Sequence, residues 1–188
     1  PNTNIKSFRG SEEISLIDVI NLQKKMDSDI MILGEVNSFE LANAYVAISQ
    51  AGTKATFCTC HCVTTRDLIE YFRNAVLSTG TLKNEKDAEK QAANSINLDI
   101  HWVKTNKGHR YISHITEVIP LEEEETWPED FNSCLLEALK RIATRRTYTT
   151  REIVVYEDGK YVFKNPLSER AVNKICANLS DQDKELFL

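Results

Sequence analysis

Three of the five cysteines and one of the four histidines of this chain lie within five positions, in the segment ATFCTCHCV at residues 55–63. Thiolate and imidazole groups are common zinc ligands, and structural zinc sites take four of them, typically from paired C-x-x-C motifs. On a strand, alternate residues share a face, so Cys58, Cys60 and Cys62 would lie on one side and His61 on the other. No such pair completes the set elsewhere in the sequence. We therefore predict that the cysteines are small packing residues and that the chain has no metal site.

A second group that could take part in chemistry is the carboxylate of Glu35, which follows the apolar run IMIL at residues 30–33 and Gly34. A carboxylate in this place sits at the C-terminal edge of a parallel sheet, where α/β proteins bind ligands. His61 would end the neighbouring strand and lie at the same edge, and the two groups together could polarise water or sense a phosphate. Two structural alternatives stay open. Glu35 could be an N-terminal carboxylate for the helix that follows, and His61 a capping histidine.

The elements that must position these groups follow from hydrophobic periodicity and from turn residues. Amphipathic patterns predict helices at 11–26, 38–52, 64–80, 130–146 and about 167–178. The polar stretch 81–92 is predicted to enter a further helix that ends at about Ile96. Strands are predicted at 30–33 and 54–63, and hairpins at 98–121 and 151–165 that turn at Asn106-Lys107-Gly108 and Asp158-Gly159. The run at 30–33 has no alternation, which predicts a strand buried on both faces of a parallel sheet. The order of elements indicates an α/β fold with crossover helices.

Composition restricts the class of protein further. The chain has 188 residues, of which 41% are hydrophobic and 27% charged, which is enough for one domain with a core and argues against disorder. The formal net charge of −5 offers no electrostatic reason to expect nucleic-acid binding. An odd number of crowded cysteines is a poor disulfide framework and favours a reducing, cytosolic compartment. The first residue, Pro1, suggests a processed chain or a piece of a longer protein.

Three segments follow one another along the chain: SDIMILGEV at 28–36, AGTKATFCTCHCVTTRDLIEYFRNAVL at 51–77 and EKQAANSINLDIHWVKTNKGHRYISHITEV at 89–118. In this order and spacing they resemble the secretion ATPases that power type II and type IV secretion and the assembly of pili, including tight-adherence pili. The first segment resembles their atypical Walker B element, the second their histidine box, and the third the helix, hairpin and strand that close their nucleotide-binding domain. The resemblance runs from about Ile5 to Val118.

The resemblance implies a fold. Residues 1–121 would be the C-terminal part of a RecA-like P-loop ATPase domain, a mostly parallel sheet with flanking helices and a closing hairpin. Residues 122–188 would be a small α+β appendage.

The resemblance also implies roles for individual residues. Glu35 would be the Walker B glutamate that polarises the attacking water, and His61 the histidine that couples the γ-phosphate to movement. Gly34, Arg9 and Lys25 would lie near the bound nucleotide. The cofactors implied are ATP and Mg²⁺.

At the level of the whole protein, the resemblance implies a hexameric ring at the cytoplasmic membrane face. The ring would contact an inner-membrane secretion or pilus platform protein, and no direct nucleic-acid binding is expected.

The chain departs from the family pattern at several positions. Asn37 stands where the family usually has an arginine, Asp27 where a basic residue is common, and Ala55 where a glycine is common. No G-x-x-x-x-G-K-[ST] loop occurs in the sequence. The first hypothesis is therefore the C-terminal part of a longer ATPase, inactive by itself. The second is a degenerate, non-catalytic ATPase-like assembly subunit, and the third is a small zinc protein built on the cysteines.

Overall fold

A short parallel β-α-β unit precedes an antiparallel four-stranded sheet along the chain. The computed structural model describes residues 5–8, 15–23, 25, 28–121, 128–143, 146–177 and 179–187. In chain order the elements are α1 (Leu16–Gln23), β1 (Ile30–Leu33), α2 (Phe39–Ser49), β2 (Ala55–Cys58), α3 (Thr65–Ser78), α4 (Glu85–Ser95), β3 (Leu98–Lys104), β4 (Arg110–Pro120), α5 (Phe131–Ala143), β5 (Tyr148–Glu157), β6 (Lys160–Phe163), α6 (Glu169–Cys176) and α7 (Asp181–Phe187).

The first two strands are parallel neighbours joined by a crossover helix, which confirms the predicted α/β arrangement. Ile30 pairs with Ala55 and Leu33 with Cys58, and α2 connects the strands. Strand β2 is shorter than the predicted 54–63 and ends at Cys58. The reason is that β1 also ends there, so residues beyond Cys58 have no full ladder to join.

The prediction that β1 is buried on both faces is wrong. Met31 and Leu33 are buried, but Ile30 is exposed and Ile32 is 72% exposed. The helices pack on one face of this small sheet, and no described element covers the other. Phe57, the register partner of Ile32, lies on the same uncovered face and is also exposed.

Local signals in the sequence account for most helix boundaries. Ser38 caps α2 by accepting a hydrogen bond from the Leu41 backbone N–H, and Thr64 caps α3 by accepting one from the Asp67 backbone N–H. Downstream of α2, Gly52 has a φ of +86°, a left-handed conformation that residues with a Cβ rarely adopt. Asp158 and Gly159 both have positive φ and form the tight turn of the β5–β6 hairpin, as predicted.

The hydrophobic core forms where α2 and α4 pack against α3. Phe72 and Ile69 of α3 and Ile48 of α2 are fully buried. Helix α4 presents the small side chains of Ala88, Ala92 and Ala93 to this core, which lets the helix approach α3 closely. No helix in the described part of the chain has the length and apolar character needed to cross a bilayer.

The second sheet has the strand order β3-β4-β5-β6 and is antiparallel throughout. Its strands come from both sides of the boundary predicted between residues 121 and 122. The buried carboxylate of Glu89 on α4 accepts hydrogen bonds from the backbone N–H and hydroxyl of Thr147, at 2.8 and 2.9 Å. Glu117 on β4 accepts hydrogen bonds from the backbone N–H and hydroxyl of Ser168, the N-cap of α6. Buried polar groups therefore connect α4, β4 and the C-terminal region.

The structure has one helix that was not predicted, and some predicted positions lie outside the described residues. Helix α7 was not predicted from the sequence. Positions 11–14, 24 and 26 of the helix predicted at 11–26 lie outside the described residues, as do positions 144–145 and 178 of the later predicted helices and the acidic segment 122–127.

Candidate functional site

The structure brings Glu35 and His61 together at the carboxyl ends of β1 and β2. Leu33 and Val36 are buried and anchor the chain on either side of Gly34 and Glu35. The Val36 backbone N–H donates to the Thr59 carbonyl oxygen at 2.8 Å, and the Thr59 hydroxyl donates to the Gly34 carbonyl oxygen. These bonds continue the strand pairing past the ends of both strands.

The resulting geometry places Nε2 of His61 3.3 Å from Oε1 of Glu35. The side chains are 90% and 50% exposed, respectively, so the pair contributes little to the stability of the fold. Its position is accessible to water and to ligands from solution. A carboxylate can accept a proton from water, and an imidazole can donate a hydrogen bond or accept one, so the pair is suited to general acid–base chemistry.

The structure assigns the start of α2 to residues other than Glu35. Ser38 provides the side-chain cap of α2, and Glu40 supplies the acidic group of its first turn.

The remaining predicted site residues are Gly34, Lys25 and Arg9. Gly34 is exposed, and a Cβ at this position would meet no atom within 4 Å, so packing of the described residues does not require glycine there. Lys25 lies in an exposed turn after α1, and its role near a nucleotide stays a prediction. Arg9 lies outside the described residues. Asn37, two positions after Glu35 in the chain, is exposed.

The three clustered cysteines pack inward. Cys58, Cys60 and Cys62 lie against the hydrophobic core, and His61 points to solvent between them. Burial raises the pKa of the Cys58 thiol to about 11. Burial also raises the pKa of the Cys60 thiol, with further contributions from the neighbouring thiols and from Asp99. It raises the pKa of the Cys62 thiol as well, where the negative charges of Asp67 and Asp99 add to the effect. Thiols with raised pKa values stay protonated near neutral pH and are weak nucleophiles.

Alkylation kinetics provide a test of this packing role. At pH 8, iodoacetamide should modify Cys58 about 100-fold more slowly in the folded chain than in the unfolded chain, because a thiol with a pKa of about 11 has about a hundredth of the thiolate of an ordinary cysteine. The rate at Cys58 should keep rising with pH up to about 11. Peptide mapping by mass spectrometry after timed quenching measures the rate at each cysteine.

The control is the same chain in concentrated urea, where burial is removed and the thiol should react at the rate of an ordinary cysteine. Equal rates at Cys58 in folded and unfolded chains would contradict the packing role, and a faster rate in the folded chain would indicate an activated thiol.

A second cluster of potential ligands was not identified from the sequence. Asp99, His101 and His114 each offer a ligand atom, and these atoms all lie within 4.8 Å of one another. The cluster depends on the pairing of β3 with β4, which places His101 directly opposite His114. The Asp-x-His spacing on a predicted strand was the available signal, since alternate strand residues share a face.

Comparison with known proteins yields no family model that matches the chain and no matching curated protein.

Proposed function

We propose that this chain is the C-terminal part of the nucleotide-binding domain of an ATPase, similar to those that power secretion, conjugation or pilus assembly. The observation that carries the proposal is the contact between Glu35 and His61 at the carboxyl ends of two adjacent parallel strands. In α/β proteins this edge is where ligands bind. The two residues that the Walker B and histidine-box patterns single out lie 26 positions apart in the chain and 3.3 Å apart in space.

In the proposed role, the carboxylate of Glu35 orients and activates the water that attacks the γ-phosphate. The imidazole of His61 lies beside this carboxylate, so a change at the γ-phosphate would reach His61 through Glu35. Phosphoryl transfer depends mainly on positioning and on stabilising charge, so a carboxylate held at a fixed place by paired strand ends fits this task. The open space at Gly34 allows a ligand to approach the backbone there.

The residues present fit water activation but do not form a phosphate cradle. The sequence has no glycine-rich phosphate loop, so in this proposal the loop belongs to a preceding part of the parent protein. Mg²⁺, when bound with ATP, supplies charge neutralisation at the phosphate oxygens. Lys25, and Arg9 from outside the described residues, are proposed as further cationic groups near the nucleotide.

The uncovered face of the small sheet also supports the proposal. Parallel sheets are normally covered on both faces and rarely consist of two strands alone. Among the described residues, the outer edges of β1 and β2 have no strand partner. Ile30, Ile32 and Phe57 form an exposed apolar surface beside them. A RecA-like domain would supply further strands and a helical layer at these places.

The working unit would be a hexameric ring with nucleotide between subunits, peripheral to the cytoplasmic face of the membrane. It would contact a membrane platform protein through the region that follows residue 121. Direct nucleic-acid binding is not expected, given the formal net charge of −5.

A second candidate function is that of a non-catalytic ATPase-like assembly subunit. The observation that favours it is Asn37, which is exposed two positions after Glu35, where the family pattern has an arginine. A missing cation lowers the stabilisation of charge in the transition state.

The experiment that tests the proposal uses the native protein isolated from its source cells. We expect an intact mass well above the 21.4 kDa of this chain, together with ATP hydrolysis that requires Mg²⁺. A native mass near 21.4 kDa without hydrolysis would overturn the enzyme proposal and leave the assembly subunit. A larger protein that binds ATP but does not hydrolyse it would also favour the assembly subunit.

A further inference from the structure

The β3–β4 hairpin carries a constellation of side chains that is separate from the Glu35–His61 pair. Asp99 and His101 lie two residues apart on β3 and share the inward face of that strand. His114 is the register partner of His101 on β4. The two imidazole rings stack with centroids 4.7 Å apart and an interplanar angle of 7°. One carboxylate and two imidazoles are thereby held together by the strand ladder.

The cluster is partly removed from solvent. The side chains of Asp99 and His114 are 12% and 26% exposed, and Asp99 accepts a hydrogen bond from the hydroxyl of Thr65 at 2.7 Å. That bond fixes one carboxylate oxygen from the start of α3. A partly buried carboxylate favours a cationic partner, because its desolvation must be compensated.

Ser113 holds the imidazole of His114 in place from the far side of the ring. Its hydroxyl donates to the His101 carbonyl oxygen at 3.3 Å. Its oxygen lies 3.0 Å from Nδ1 of His114, and the neutral Nδ1–H tautomer donates to it. In that tautomer Nε2 of His114 carries a lone pair and faces Oδ2 of Asp99 at 3.9 Å. Two acceptors at that distance share no direct hydrogen bond, and a cation between them would stabilise both.

We propose that Asp99, His101 and His114 form a zinc site with an open fourth position. Two histidines and one carboxylate are a donor set that Zn²⁺ takes in sites that keep a water ligand. Imidazole nitrogens disfavour Mg²⁺ and Ca²⁺, which prefer oxygen ligands. Thr65 and Ser113 act as the outer hydrogen-bonding groups that orient metal ligands in such sites.

Binding requires a modest rearrangement. Ligands about 2.1 Å from a tetrahedral zinc ion lie about 3.4 Å from each other, whereas the present ligand atoms are separated by up to 4.8 Å. Rotation of the imidazoles about χ2 turns their lone pairs from a parallel arrangement towards one point. This inference does not depend on the proposed ATPase function, since neither Glu35 nor His61 takes part.

Titration of the full 188-residue chain with Zn²⁺ by calorimetry tests the site. We expect one equivalent to bind, with Mg²⁺ producing no signal. His101→Gln should weaken zinc binding at least 100-fold, and Ser113→Ala should weaken it about 10- to 100-fold through loss of the outer hydrogen bond. The matched control is His109→Gln, because His109 is an exposed histidine in the turn of the same hairpin and should not affect affinity.

Two further measurements separate this site from its competitors. Asp99 contributes to the raised pKa values of the Cys60 and Cys62 thiols, so these thiols are the competing ligands. A Co²⁺-loaded chain should lack a thiolate charge-transfer band, and the double variant Cys60→Ala, Cys62→Ala should keep its zinc affinity. A thiolate band, loss of affinity in the double variant, equal effects of His101→Gln and His109→Gln, or no stoichiometric binding would each overturn the proposal. Circular dichroism of every variant confirms that it is folded.

Discussion

Replacing Glu35 by Gln is expected to lower ATP turnover of the parent protein at least 100-fold while leaving nucleotide binding within a few-fold of its original affinity. The change preserves the size of the side chain and its hydrogen bonding but removes the carboxylate that accepts a proton from water. General-base groups contribute about 10²- to 10⁴-fold to reaction rates. Because the carboxylate is exposed and contacts only His61 among the ion pairs of the described residues, its loss should not affect folding. Steady-state phosphate release and binding of a fluorescent nucleotide measure the two quantities.

The matched control for this prediction is Glu40→Gln. Glu40 is another exposed carboxylate, five positions further on in the first turn of α2, and turnover should stay within about twofold. Turnover that persists in the Glu35→Gln protein would refute the Walker B assignment. Loss of turnover in both variants would point to a general effect of charge at this edge of the sheet.

Replacing Phe72 by Ala is expected to lower the free energy of unfolding by about 3–5 kcal/mol. Phe72 is fully buried in α3. Its ring contacts Tyr45 and Tyr71 with centroids 5.5 and 5.8 Å apart. The substitution removes the apolar area and both aromatic contacts, and it leaves a cavity between α2 and α3. Urea unfolding followed by circular dichroism gives the change in free energy from the shift in midpoint.

Phe163→Ala is the control for Phe72. Phe163 ends β6 and its side chain is mostly exposed, so its removal should change the free energy of unfolding by less than about 1 kcal/mol. If the two variants were equally stable, the packing of α2 against α3 would not be the main core of this chain.

The secondary structure was largely predictable because its signals are local. The caps at Ser38 and Thr64 and the turn at Asp158-Gly159 depend on residues within three or four positions of one another, and the structure confirms the predicted turn. Burial was less predictable. The run at 30–33 is apolar at every position, and periodicity alone does not show whether a covering layer is present on each face.

Of the two clusters of polar side chains, one was predictable from the sequence and the other was not. Glu35 and His61 could be placed together from the sequence because both follow parallel strands, and the carboxyl ends of neighbouring parallel strands meet at one edge. Asp99, His101 and His114 could not, because their proximity depends on which residues of β3 and β4 face each other. That register includes an irregularity after His101.

Residue patterns alone were enough to predict the types and order of the elements other than α7, the inward side of the three cysteines and the edge that holds Glu35 and His61. Each of these follows from residue periodicity or from chain direction, which act over short distances. The folded chain was needed to show that one face of the small sheet is uncovered and that Glu89 accepts a hydrogen bond from Thr147, 58 positions away. It was also needed to show that an aspartate and two histidines converge on the hairpin. These features arise from strand register and from the packing of distant segments, because side chains far apart in the chain meet only when the backbone is folded.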